Sequence, residues 1–478
     1  MRVERKTSSL DFAEAMPGFI ENSGMELVPI PKPPNLKEGC VMNRLIDRKK
    51  NTIQLSPEVS YAHIFKIAFP VILGQLAQNV ISLADTMFLG HVGETQLAAG
   101  ALAAIFYQVA VMFMTGFGIG TQILIAHRMG EGLPRSVGRF FFHAVCFMLV
   151  AALSVFLLFK GFGSLMLTGM IRTPEVRAAV DEYLQWRVYG LPFAFVSICF
   201  NAFYVGTART RTISVATLTM GGVNVLLDYL LVFGVGPFPE LGMRGAALAS
   251  VVAEAVGMGV YIVVSLINRD NRDRFRLFSP FPLRGFVFGK MLHMAYPIML
   301  EYLISFGNYF IFFLMIERLG QHPLAVANIT RSLYTIFLLP TWGYTATVSS
   351  LTAFLCGRKR PEEIGLLVRR CMLLGVVSVS VLILPYLPLH DLVLSCFTGD
   401  AGLRAEAFRP SIVAIAATYL MVWAQMIFNS ILGRGKTGAG FAIELVTMAI
   451  YIWGIPPIRS CTAAPRWPGR SRPNGSIL

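Results

Sequence analysis

Apolar residues in this chain come in long unbroken runs separated by short polar stretches. Examples are FFFHAVCFMLVAALSVFLLF at 140–159 and TISVATLTMGGVNVLLDYLLVFGVG at 212–236. About 20 apolar residues suffice for a helix to cross a bilayer. The alternation of period two that marks barrel strands is absent, so each run predicts a membrane-spanning helix. Such runs fall at 67–90, 97–126, 138–160, 181–206, 212–236, 243–267, 288–316, 324–355, 366–389, 407–432 and 437–457. The fold class is therefore an all-α polytopic membrane protein with about eleven recognisable spans. Residues 1–60 are polar, hold PIPKPP and RKK, and lack a signal-peptide pattern, so they are expected to form a cytoplasmic tail.

Composition agrees with the pattern. The chain is 55% hydrophobic and 14% charged, where soluble domains carry about 25% charged residues. The net charge of +14 does not point to nucleic acid, because the basic residues sit in short loops between spans. Arg128, Arg135 and Arg139 lie in the second connection, Arg209 and Arg211 in the fourth. The sixth holds Arg269, Arg272, Arg274, Arg276 and Arg284, and the eighth holds Arg358, Lys359 and Arg360. The alternate loop HVGETQ (91–96) has no Lys or Arg. The positive-inside bias thus predicts a cytoplasmic N-terminus. Seven cysteines, without a C-x-x-C, read as small apolar residues.

The chain also repeats itself. AFP at 68–70 matches AYP at 295–297, a shift of 297 − 70 = 227. The same shift pairs Gly93 with Gly320, Leu97-Ala98 with Leu324-Ala325, Gly130 with Gly357, Pro134 with Pro361, and Gly206 with Gly433. Six spans per unit is an even number, so both units enter the membrane from one side. This predicts two parallel six-helix lobes, as in transporters built from two halves. The expected divisions are a tail (1–60), an N-lobe (61–270), a C-lobe (271–458) and an aberrant basic tail (459–478). In that last stretch IPPIRSCTAAPRWPGRSRPNGSIL replaces the apolar run expected for a twelfth span. The second lobe is therefore expected to be truncated.

Several segments resemble the multidrug and toxic compound extrusion (MATE) family. They are PVILGQLAQNVISLADTMFLGHVGETQLAA (70–99), GTQILIAHRMGEG (120–132), GTARTRTISVATLTMGGVNVLLDYLLVFG (206–234) and GMRGAALASVVAEAVG (242–257). The likeness covers about 60–457. It implies two lobes facing each other in a V, and antiport of organic compounds against Na⁺ or H⁺.

Acidic residues inside spans are the candidates for coupling chemistry, because a charge at the bilayer centre costs at least about 2.5–3.5 kcal/mol on insertion scales. Asp85 lies in the first span and Asp228 in the fifth, both of which run outward. Counted from Lys66 and Arg211 at about 1.5 Å per residue, both sit roughly 25–28 Å from the cytoplasmic boundary. Asn224 is one turn before Asp228, and Ser250 is roughly 9 Å down from the outer end of the sixth span. Two carboxylates with amide and hydroxyl oxygens suit a hard cation, and serve equally as a pair that shares a proton. The resemblance implies a cation site at Asp85, Asn224 and Asp228, which would be the Na⁺ ligands under sodium coupling. Ser250 stands where the family usually has Thr.

A C-lobe site would draw on Glu301, Gln425 and Asn429. Relatives carry their glutamate one turn further along, where this chain has Ser305. Glu254 and Glu444 lie in apolar runs without an assigned role. Pro70 is expected either to bend the first helix or to sit harmlessly in its first turn. No cofactor is expected beyond the coupling ion. Expected partners are small organic substrates and the lipid bilayer, for a monomer in a bacterial inner membrane. A lipid-linked oligosaccharide flippase of the same superfamily is the alternative, though such proteins tend to have cationic cavities. A membrane enzyme would need a cluster such as Ser/His, and the seven histidines are dispersed.

Overall fold

A computed structural model of the chain describes residues 59–171, 173–317, 321–395, 397–398 and 400–454. The expected basic tail (459–478), and all but the last two residues of the expected N-terminal one, lie outside the described residues. The helices are α1 (Tyr61–Val92), α2 (Glu94–Gly130), α3 (Pro134–Met170), α4 (Pro174–Arg187), α5 (Leu191–Gly206), α6 (Arg211–Phe233), α7 (Gly242–Ile267), α8 (Gly285–Glu317), α9 (Gln321–Gly357), α10 (Ile364–Ser395), α11 (Ala401–Gly433) and α12 (Thr437–Gly454). Each of the eleven apolar segments falls on a helix, the fourth on α4 and α5 together. Eight helical stretches among the described residues are long and apolar enough to cross a membrane. The protein is an all-α, multi-pass membrane protein.

Several helices, among them α1, α2, α3 and α9, run past their apolar windows at both ends. α2, α3 and α9 each have 37 residues, about 55 Å of helix against a hydrocarbon core of about 30 Å. Pro70 is one consequence. α1 starts at Tyr61, where the Ser60 hydroxyl caps the His63 amide. The proline is thus in the third turn of the helix rather than in its first. Hydroxyls at the start of α6 brace this stretch: Thr210 donates to the Ile67 carbonyl at 2.7 Å and Ser214 to the Pro70 carbonyl at 2.6 Å.

The fourth span is broken. A 3₁₀ turn at Val188–Gly190 joins α4 to α5, and Pro192, in the first turn of α5, has no N–H to continue the helical ladder.

The internal repeat reappears as paired contacts. A β-carbon added to Gly130 of α2 would lie 3.0 Å from the Gly357 Cα, and one added to Gly357 of α9 would lie 3.1 Å from the Gly130 Cα. The two positions are related by the repeat offset, since 357 − 130 = 227. Equivalent residues of two halves touch each other only on the axis that relates those halves. Contacts away from the axis swap in the same manner. Gly116 on α2 packs against the Met299 backbone of α8, while Gly343 on α9 packs against Ile72 of α1. Here 343 − 116 and 299 − 72 are both 227. The halves therefore meet through a pseudo-two-fold interface. Gln122 strengthens it, donating to Ser350 Oγ at 2.8 Å and to the Ala346 carbonyl at 3.3 Å. Only glycine lets backbones approach this closely.

These contacts cluster towards the ends of α2 and α9 that carry Arg128 and Arg358. The halves are closed at the basic-loop end.

Candidate functional site

α1, α4, α6 and α7 enclose a polar cluster in an otherwise apolar bundle. Asp228 is fully buried, and Asn224, one turn earlier on α6, is 1% exposed. From α1, the Asp85 carboxyl comes within side-chain bonding range of both Asp228 and Asn224. Ser250 on α7 lies 3.5 Å from the Asn224 amide nitrogen. All four residues expected to act together do meet, because residues four apart share a helix face and the three helices pack side by side.

The donors do not balance the acceptors. Both Asp228 oxygens, Asp85 Oδ1 and Asn224 Oδ1 are buried with no hydrogen-bond partner. Ionised carboxylates only accept, so two that face each other need a proton or a cation between them. Oxygen donors of this kind suit a hard monovalent cation as well as a proton.

α4 adds residues that nothing in the sequence pattern singles out. Tyr183 reaches the Ser250 hydroxyl. One turn further, Arg187 forks onto Glu254 of α7, with contacts of 2.5 and 2.9 Å. Tyr107 of α2 donates to both Glu254 oxygens at 3.1 and 2.9 Å, and the Arg187 guanidinium stacks 3.7 Å over its ring. Tyr183/Arg187 and Ser250/Glu254 are both spaced by one helical turn, so α4 and α7 face each other through two polar rungs. Arg187 lies within an apolar run beside the helix break at Val188–Gly190, where an arginine reads in sequence as a loop residue. The one signal available was an uncompensated basic residue near the start of the fourth segment. Glu254, without an assigned role in the sequence, is explained by this pairing.

Other expected residues do not assemble. Asn429 donates to the Gln425 side chain and carbonyl, each at 3.0 Å, along α11. Among the described residues no bond links either to Glu301. Instead, Glu301 of α8 lies within electrostatic range of Glu444 on α12, which accepts from Ser305 at 2.5 Å. The carboxylate near Ser305 thus comes from a different helix.

An apolar cavity of about 710 Å³ runs between α1 and α6. Leu76, Val80, Ile81 and Phe88 line one side; Leu218, Val225, Leu226 and Tyr229 line the other. Neither Asp85 nor Asp228 is among its lining residues.

Comparison with known proteins agrees with this architecture. The MatE family model matches residues 70–230 and 297–455, two stretches whose starts differ by the repeat offset. The chain is 30% identical over 281 residues to "Probable multidrug resistance protein NorM" of Rhizobium meliloti, covering 57% of this chain and 59% of that protein. Similarity to the protein of the same name from Deinococcus radiodurans is 26% over 415 residues, covering 84% and 88%. Among solved structures, "Outward-facing conformation of a multidrug resistance MATE family transporter of the MOP superfamily" superposes with a TM-score of 0.72 at 18% identity, covering 80% of this chain and 85% of that one. The Vibrio cholerae MATE transporter VcmN D35N mutant gives 0.71 at 19%, covering 82% and 88%. With a family model that matches both halves of the repeat, the chain belongs to the MatE family of membrane transporters.

Proposed function

We propose that the protein is a secondary-active antiporter that exports organic, often cationic and amphipathic, compounds in exchange for Na⁺ or H⁺, by alternating access. The observation that carries this reading is the Asp85–Asp228 pair, in which both Asp228 oxygens and Asp85 Oδ1 are buried without a hydrogen-bond partner. Asp85, Asn224 and Asp228 would hold Na⁺, with Ser250 orienting Asn224. Under proton coupling the same carboxyls would share the proton. The apolar cavity between α1 and α6 suits the body of an amphipathic substrate. The names of the relatives support drug efflux. An acidic rather than cationic site favours this over a lipid-linked oligosaccharide flippase.

The direct test is uptake of a panel of organic cations into vesicles under a Na⁺ gradient and a pH gradient imposed separately. Uptake driven by one gradient, and collapsing when that gradient is dissipated, is expected. Uptake that ignores both gradients would overturn the antiport reading.

We further infer that the protein works as a monomer in a bacterial inner membrane with its N-terminus in the cytoplasm, since the basic loops lie on one side. Cysteines placed at Arg135 and Arg274 should resist an impermeant thiol reagent in intact cells and react after permeabilisation. Labelling of either in intact cells would reverse the orientation.

A further inference from the structure

Arg187 has no place in the coupling chemistry above, although it is a cation buried next to it. Its side chain is 11% exposed and that of Glu254 15%. Arg187, Glu254 and Tyr107 each fall in the fourth turn of their helices, α4, α7 and α2, all of which run in the same direction. That places the three at one level, about 18–20 Å along their helices. Asp85 and Asp228 lie within the last two turns of α1 and α6, about 8–10 Å from the same side. The guanidinium thus forms a layer roughly 10 Å beneath the acid pair, and lies within electrostatic range of both carboxyls.

The surroundings hold it there. Glu254 takes both guanidinium arms and Tyr107 supplies its ring face and hydroxyl. The position at the C-terminus of α4 favours a positive charge. Gly190 leaves the space, since a β-carbon there would collide with both Glu254 and Arg187. Three carboxyls and one guanidinium share this bundle, with Tyr107 and Tyr183 the other ionisable groups facing it. Glu254 neutralises Arg187 only in part, so some of its charge is felt by the aspartates.

We propose that Arg187 is a positioning residue that sets the strength of cation binding at Asp85–Asp228, with Glu254 and Tyr107 fixing how much of its charge that site feels. An exchanger needs its ion to bind and then to leave. An acid pair with no counter-charge would hold a cation too tightly to release it, and one facing an uncompensated guanidinium would not fill. The proposal rests on the coupling reading given above.

The test measures substrate-driven transport against Na⁺ concentration and against pH in vesicles, with protein amount and melting temperature recorded for each variant. Arg187→Gln should lower the cation concentration at half-maximal rate and lower the maximal rate with it, because release slows. Glu254→Gln should raise the half-maximal concentration by about tenfold or more, the scale of one charge acting across several ångströms of protein. Tyr107→Phe, which keeps the ring, should raise it less. Arg187→Gln with Glu254→Gln should return the half-maximal concentration close to that of the parent. Breaking a buried ion pair from one side alone is destabilising, so low yield of the Arg187→Gln and Glu254→Gln variants leaves Tyr107→Phe to decide. An unchanged half-maximal concentration across these variants, with losses only in protein amount or melting temperature, would make the trio purely structural and overturn the proposal. Transport by the parent that ignores both Na⁺ and pH would instead remove the coupling site, and the proposal with it.

Discussion

Asp85→Asn is expected to uncouple the transporter, lowering gradient-driven efflux by about 100-fold or more, equivalent to about 3 kcal/mol of lost ion binding. The reason is donor balance. In the parent, Asp85 and Asp228 face each other with buried oxygens lacking donors. An asparagine at 85 brings an N–H₂ that donates to Asp228, so the pair no longer needs an ion to be satisfied. The folded protein should lose no stability, because a buried acceptor gains a partner. Asp228→Asn should act in the same way from the other side. The double variant should be no worse than either single change, since groups that act as a unit are non-additive. Efflux in vesicles, paired with substrate binding and melting temperature, separates this from misfolding. Losses that multiply in the double variant would dissolve the shared site, and near-normal efflux from either single variant would remove that residue from it.

Gly130→Val is expected to prevent closure at the basic-loop end. Its side chain would drive into the Phe354 carbonyl and against Gly357. Overpacking of this kind costs about 1–3 kcal/mol, a factor of roughly 5–150 in the population of the closed arrangement. Gly357→Val should match it, because the two positions are mates across the axis and a side chain there would meet the His127 carbonyl. Gly161→Val on α3 is the control, with nothing within 4 Å of its added β-carbon. Cys356 adjoins the contact and is half-buried, so its rate of thiol labelling reports opening once the other cysteines are replaced. Faster labelling and a collapse of transport are expected for both glycine variants. Parent-like labelling and transport would show that this contact does not control access.

Helices were legible wherever long apolar stretches ran unbroken, because in a bilayer nothing but a helix satisfies the backbone of a lone segment. Asp85 and Asp228 were legible as acidic residues at similar depth in apolar spans, and the resemblance to the MATE family added Asn224. Arg187 escaped because its partner is far along the chain on another helix, and a compensated charge looks in sequence like a loop boundary. Ser305 and Glu444 illustrate the same limit: a carboxylate supplied by α12 stands beside a hydroxyl of α8, and no spacing along the chain announces it. The repeat was visible as an offset. That Gly130 and Gly357 touch each other depends on how the halves pack, which the offset alone does not contain.

The offset also shows what the halves do not share. It carries Asp85, Arg187, Asn224 and Asp228 onto Phe312, Ala414, Tyr451 and Ile455. Gly116, Gly130 and Gly206, by contrast, have glycine at each matching position. Gly130 and Gly357 touch directly, so a change in either is felt by its mate, while Gly116 and Gly206 make matching contacts with other residues of the frame. The acid pair has no acidic counterpart at the matching positions of the second half. The frame is symmetric where the halves meet but its charged groups are not, so the pull of an ion bound at the acid pair reaches the second half only through the frame itself.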